Sequence, residues 1–164
     1  MTMGKPNKYA PKALFRSFAL AEAVTWTLLI TGLIGKQFWG WSQPLVTAIG
    51  GIHGAVFLGY GVISALVGVN QRWGFWKIVA GTSLAILPYA TVPFEMRVEK
   101  RGELEGDWRK EHSGHVKDDH WFDALYRWFI NRPVLLATAL VLVVGAIFAA
   151  LLIVGPPGGW PQNN

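Results

Sequence analysis

Four apolar runs, each about twenty residues long, constrain this chain more than any other feature. The last, "VLLATALVLVVGAIFAALLIVG" from Val134 to Gly155, contains no charged residue. A helix rises about 1.5 Å per residue, so roughly 20 apolar residues cross a hydrocarbon core of about 30 Å. Lipid offers backbone groups no hydrogen-bond partners, so such runs are helical. The other three extend from about Leu14 to Gly35, Pro44 to Val69 and Trp73 to Phe94. The expected fold is an all-α membrane protein with four transmembrane helices. Pro44 suits a helix first turn. Pro88 should kink the third helix near its end, and "GPPGGWP" should stop the fourth.

Composition agrees. Of 164 residues, 52% are hydrophobic and 15% charged, against about 25% charged in soluble domains. Mean hydropathy is +0.31. The net charge of +5 could suggest nucleic acid, but most basic residues flank apolar runs, where they anchor helices to lipid headgroups. The expected partners are membrane lipids and other integral membrane subunits, with no nucleic acid. Cysteine is absent, which excludes disulfides, thiolate metal sites, iron–sulfur clusters and cysteine nucleophiles. The first run follows a basic tail but is as long as a full span and carries Glu22, so it reads as a retained helix rather than a signal peptide.

The chain divides into a basic tail (1–13), a membrane domain of three helices (14–97), a polar connection (98–132), a fourth span (133–155) and a C-terminal tail (156–164). "KQFWGWSQ" joins the first two spans and suits an aromatic interfacial belt. The short "NQR" link makes spans two and three an antiparallel hairpin. Inside the polar connection, "DDHWFDALYRWFINRP" places Trp121, Leu125, Trp128 and Phe129 at helical spacing, with Asp118 or Asp119 as cap. That pattern predicts an amphipathic helix on the membrane surface just before the fourth span.

Orientation in the plasma membrane is contradictory on a four-span reading. The tail holds four Lys or Arg and the first connection one, which favours a cytoplasmic N-terminus. Alternating sides over four spans nevertheless totals six basic residues on that side and nine on the other. A cytoplasmic N-terminus is the expectation, because the first helix usually dominates.

Two strongly ionisable side chains lie within the spans. Glu22 falls roughly 12 Å into the first and His53 roughly 13 Å into the second from the opposite surface. In a core of about 30 Å they would differ by only about 5 Å in depth, so neighbouring helices could pair them. Such a pair can be a proton or ion pathway, or a hydrogen bond that locks two helices together. Around His53, Gly50, Gly54, Gly61, Ala65 and Gly68 form a stripe of small residues, and Gly50 and Gly54 make a G-x-x-x-G suited to close helix packing.

No other constellation carries clear chemistry. His53 is the one histidine in any span, so bis-histidine haem ligation within the chain is excluded, and no cofactor is expected. "EHSGHVKDDHW" gathers His112, His115 and His120, residue types that suit zinc, copper or nickel. Their spacing matches no closed zinc pattern, so a solvated loop is the plainer reading. No nucleophile–base arrangement marks an enzyme.

Three stretches, "FRSFALAEAVTW" with Arg16 and Glu22, "GGIHGAVFLGYG" with Gly50, His53 and Gly54, and "ILPYATVPFEMR" with Pro88, Phe94, Glu95 and Arg97, resemble a family of small actinobacterial integral membrane proteins. That family carries a three-helix domain of unknown function, and the likeness spans about Phe15 to Arg97. The resemblance implies a membrane fold without an assigned activity. It further implies a link to the small extra subunits of the actinobacterial cytochrome bc–cytochrome oxidase supercomplex. The expected function is a non-catalytic accessory or structural subunit of such a complex. The alternative is a small proton- or solute-translocating protein that uses Glu22 and His53.

Overall fold

The computed structural model describes residues 9–112, 114, 115 and 121–154. Helix α1 spans Pro11–Trp39, α2 Gln43–Asn70, α3 Phe75–Ser83, α4 Thr91–Lys100, α5 Trp121–Ile130 and α6 Pro133–Val154, with a 3-10 turn at Leu84–Ile86 between α3 and α4. The described residues contain no strand. The proposed caps Asp118 and Asp119 lie outside them.

Among the described residues three helices, α1, α2 and α6, are long and apolar enough to cross a membrane. Their packing is inverted relative to a soluble protein. Glu22, Thr25, His53, Ser64, Thr91 and Glu95 are buried, while Leu20, Val24 and Leu28 of α1 and Val141, Leu142 and Ile153 of α6 are exposed. Polar groups turned inward beneath an aliphatic surface is the arrangement lipid requires.

The third apolar segment does not form one straight span. α3 leaves the end of α2 and packs back along it, with Ile78 against Gly68 and Thr82 against Gly61. The chain then reverses. Leu87 is extended (φ −99°, ψ 125°), as a residue before proline should be, and Ala90 N–H bonds to Leu87 O at 3.2 Å. Pro88 and Tyr89 occupy the centre of this turn, and Tyr89 has φ 64°. Proline followed by positive φ is the signature of a type II β-turn, so Pro88 reverses the chain where a kink was expected. α4 returns along α1: Thr91 meets Ala19 and Glu22, and Glu99 meets Lys12 and Arg16. The ion pair of Lys77 with Glu103 joins the two feet of the hairpin. α3 rises only about 13 Å, so the hairpin enters and leaves at one end of the bundle.

Hydrogen-bonded end motifs close both turns at those feet. Trp73 N–H bonds to Gly68 O and Arg72 N–H to Val69 O after α2; Glu103 N–H bonds to Val98 O and Gly102 N–H to Glu99 O after α4. Both are Schellman pairs. Gly102 supplies positive φ (70°) at one, whereas Arg72 adopts 53° at the other. Between the helices sits an aromatic core in which Phe15 stacks on Tyr60 at 5.7 Å and meets Trp73 and Phe94 edge-on at 6.0 and 6.3 Å. α5 turns Tyr126 and Ile130 inward and leaves Trp121, Leu125 and Trp128 exposed. This is the geometry of a helix lying at an interface.

Candidate functional site

The polar residues of α1 converge on the tip of the α3–α4 hairpin. Thr91 Oγ1 donates to Glu22 Oε2 at 3.0 Å and, more weakly, to Ala19 O at 3.3 Å. Glu22 is fully buried, and its carboxyl group sits beside the first turn of α4, where the helix dipole favours negative charge. One turn further along α1, Trp26 Nε1 donates to Ala85 O at 3.1 Å, and the Thr27 hydroxyl lies 3.2 Å from that of Tyr89. From the α2 side, Tyr60 OH donates to Gly81 O at 3.0 Å. The hairpin tip is therefore tied to both spanning helices by side-chain bonds.

His53 shares this region without touching Glu22. Its Nδ1 lies 3.1 Å from Thr25 Oγ1, and that hydroxyl donates to Glu22 O at 3.0 Å. A hydroxyl has one proton and a carbonyl only accepts, so satisfying both contacts makes His53 the donor from Nδ1. Its ring also packs against Trp26 at 4.6 Å and Phe57 at 6.2 Å. The Thr25 hydroxyl links His53 to the Glu22 carbonyl rather than to its carboxyl group. Thr25 and the α1 backbone stand between the two ionisable side chains, and each of these bonds to a different neighbour. Glu22 Oε1 and Glu95 Oε1 are buried with no hydrogen-bond partner among the described residues.

The small-residue stripe of α2 serves several neighbours rather than one. A Cβ at Gly68 would approach Ile78 to 2.7 Å and one at Gly61 would meet Thr82 at 3.5 Å, both on α3. At Gly54 it would meet Phe148 of α6 at 3.2 Å, and at Gly50 only Leu29 of α1 at 4.0 Å. Ala65 is half-buried. The tightest approach of α1 to an α2 glycine is at Gly59, where a Cβ would come within 2.5 Å of the Phe18 ring. Gly59 lies off the stripe read from the sequence.

A second polar centre, which pattern reasoning missed, sits at the end of α2. Arg109 Nε and Nη2 donate to Asn70 O and Val69 O, both at 2.7 Å, and Nη2 also reaches Asp123 Oδ1 of α5 at 2.7 Å. Asn70 Oδ1 accepts from Arg109 N–H and from Tyr126 OH, each at 2.8 Å, while its Nδ2 donates to Asp107 O. A guanidinium over the last carbonyls of a helix adds donors to Asn70 O and Val69 O and complements the dipole. Burial raises the Tyr126 phenol well above its ordinary value. An asparagine ending an apolar run and an arginine 39 residues away leave no local pattern that would join them.

The histidine loop is only partly described. His112 and His115 are exposed, His112 Nδ1 accepts from Gly114 N–H at 3.1 Å, and His120 lies outside the described residues. No group of three metal-ligating side chains occurs among the described residues.

The unit built around the hairpin, α1 to α4, coincides with a region matched in known proteins. A sequence family described as a domain of unknown function, DUF3817, matches residues 12–100. The chain belongs to the DUF3817 family. Within this chain the DUF3817 core is two long helices with a helical hairpin docked on them, and α5 and α6 lie beyond it. A Streptomyces coelicolor protein, whose name says only that it is a membrane protein, is 30% identical over 95 residues. That match covers 56% of this chain but only 11% of the relative. No solved structure matches the chain. The protein is thus a multi-pass membrane protein of unknown function with an actinobacterial relative.

Proposed function

We propose that the protein is a non-catalytic accessory subunit of a larger membrane assembly. The observation that carries this reading is α6, a 22-residue helix with none of its apolar window buried among the described residues. A span that adds so little to its own bundle offers a face to something else in the membrane. The relative supports the reading, since there the matching stretch is a small part of a much longer membrane protein. Glu22 bonds the hairpin to α1 and His53 bonds α2 to α1, a structural role consistent with a subunit. The specific assembly proposed, from the family resemblance, is the actinobacterial cytochrome bc–cytochrome oxidase supercomplex. Affinity purification from native membranes in mild detergent tests both levels. Copurification of oxidase and bc subunits supports the specific proposal, a different stable partner keeps only the general one, and migration alone on a native gel overturns both.

Glu22 Oε1 and Glu95 Oε1, buried without a hydrogen-bond partner among the described residues, favour the translocation reading as the alternative. Proton flux in vesicles that Glu22→Gln abolishes would establish it.

The proposed topology is a cytoplasmic N-terminus, three crossings and a hairpin that dips in from the cytoplasmic face. On this path every one of the 15 Lys and Arg residues except Lys36 falls on the cytoplasmic side or at its edge. The charge contradiction of the four-span reading disappears. Because the chain has no cysteine, Ser42→Cys and Glu105→Cys variants can be labelled cleanly in intact cells. An impermeant thiol reagent should modify position 42 and spare position 105. Modification of both would restore four spans.

A further inference from the structure

α6 meets α2 through Phe148, whose ring lies against Gly51 and Gly54, and it meets α5 across the turn at Asn131 and Arg132. Between those supports its first turns stand off from α1 and leave a cavity of about 580 Å³. Its walls are Leu14 of α1, Ile63 and Leu66 of α2, and Leu136, Ala137 and Leu140 of α6. From Pro133 to Leu140 is a rise of roughly 10 Å, so these walls occupy the half of the hydrocarbon layer nearest α5.

Polar groups are confined to the mouth. Asn131 Nδ2 donates to Lys110 O at 2.9 Å, and Trp108 Nε1 to Tyr9 O at 2.6 Å, which fixes the mouth to both sides of the opening. The Asp107 carboxylate is present there, but its Oδ1 accepts the Trp108 N–H at 2.8 Å. Lys110 is exposed, and no ion pair among the described residues takes up its charge. Trp108 at the rim and Trp128 on α5 mark the level of the headgroups.

We infer that this wedge holds one anionic phospholipid of the bilayer, with an acyl chain between α1 and α6 and its phosphate on Lys110. Lys110 is the cation at the mouth, above walls of Leu14, Ile63, Leu66, Leu136, Ala137 and Leu140. The one carboxylate beside it, Asp107, is held by the Trp108 N–H, so a lipid phosphate has one cation to meet. The site fits a partner helix less well, since such a helix would have to meet Lys110 with a charge of its own at the same level. The cavity size lies within the range of specific small-molecule sites, roughly 300–1,000 Å³.

Native mass spectrometry of the full chain, delipidated in neutral detergent and titrated with phosphatidylglycerol or phosphatidylcholine, tests the site. Phosphatidylglycerol should bind first and more tightly. Lys110→Ala, at an exposed position, should weaken it by about fivefold, and Lys110→Arg should restore it. Ala137→Trp, which fills the wedge, should remove the first bound lipid from either titration while leaving the unfolding temperature unchanged. Equal binding of the two lipids by the wild type would overturn the inference. So would Lys110→Ala binding like wild type, or a photo-crosslink from position 137 to a polypeptide instead of lipid.

Discussion

Thr91 Oγ1 donates to Glu22 Oε2 at 3.0 Å, joining the first turn of α4 to the middle of α1. Both side chains are fully buried, so neither can exchange this bond for water. Thr91→Val keeps the shape and removes the donor, and should destabilise the protein by about 1–3 kcal/mol. Glu22→Gln retains an accepting oxygen and should cost less. Glu22→Leu should cost less in the Thr91→Val background than alone, by about 0.5–3 kcal/mol, the signature of a direct coupling. Denaturant unfolding in detergent micelles measures the four variants against wild type, and additive effects would show that the bond contributes nothing.

Tyr89 tests the reversal itself. With φ 64° it occupies a conformation that favours glycine and is strained for a β-branched residue. Tyr89→Val should destabilise the hairpin by about 1–3 kcal/mol. Tyr89→Gly relieves the backbone while losing the contact with the Thr27 hydroxyl, and should stay within about 1 kcal/mol of wild type. Equal effects of the two variants on the unfolding midpoint would mean that the turn is not formed as described.

The crossing helices were legible because length and hydropathy decide them. α1, α2, α5 and α6 all form helices where their patterns place them. The third run defeated the same reasoning, since hydropathy reports burial in lipid but not direction. A type II turn normally advertises itself by glycine at its third position, and here Tyr89 occupies it. Two weaker signals were available: Pro88 and Pro93 in one supposed span, and a basic-residue count that four crossings could not reconcile. At the site, Glu22 and His53 were identifiable as residues that lipid would not tolerate alone. Their actual partners, Thr91 and Thr25, could not be chosen without knowing where the hairpin turns. Asn70 and Arg109 were invisible because their bonds run mainly to backbone groups distant in sequence.

At the end of α2, Asn70→Ala should leave Arg109 N–H and Tyr126 OH without their shared acceptor. The expected loss is about 2 kcal/mol, with faster proteolysis between α4 and α5 as the segment undocks. Arg109→Lys should behave similarly rather than conservatively, because one ammonium cannot reproduce the guanidinium's fork over two carbonyls and a carboxylate. Limited proteolysis of folded protein reads both, and wild-type cleavage rates would refute the docking role.

Acidity should loosen the α1–α4 contact at the membrane surface. The Lys12 ammonium, 2.9 Å away, and then Arg16, hold the Glu99 carboxyl below its ordinary value of 4.5. A carboxyl depressed by folding stabilises the protein above its unfolded pKa and loses that contribution as pH falls through its folded value. The unfolding temperature should therefore decline as pH drops below about 4.5, and less steeply in Glu99→Gln. These groups are solvent-accessible, so high salt should shrink the difference. Identical acid profiles for wild type and Glu99→Gln would remove this pair from the account.

Two glycines of α2 separate tight packing from mere small-residue pattern. At Gly59 a methyl group would collide with the Phe18 ring, which is packed against the aromatic core and has little room to move. At Gly50, within the G-x-x-x-G, it would make only ordinary contact with Leu29. Gly59→Ala should cost about 1–3 kcal/mol through overpacking. Gly50→Ala should be neutral or stabilise by about 0.5–1 kcal/mol, since alanine restricts the unfolded chain at no steric cost in the helix. The comparison is internal, because the two positions lie on the same helix and gain the same helix propensity. If unfolding measurements reverse the order, α1 packs on the stripe read from the sequence, and the register of α1 against α2 must shift to bring Gly50 into that contact.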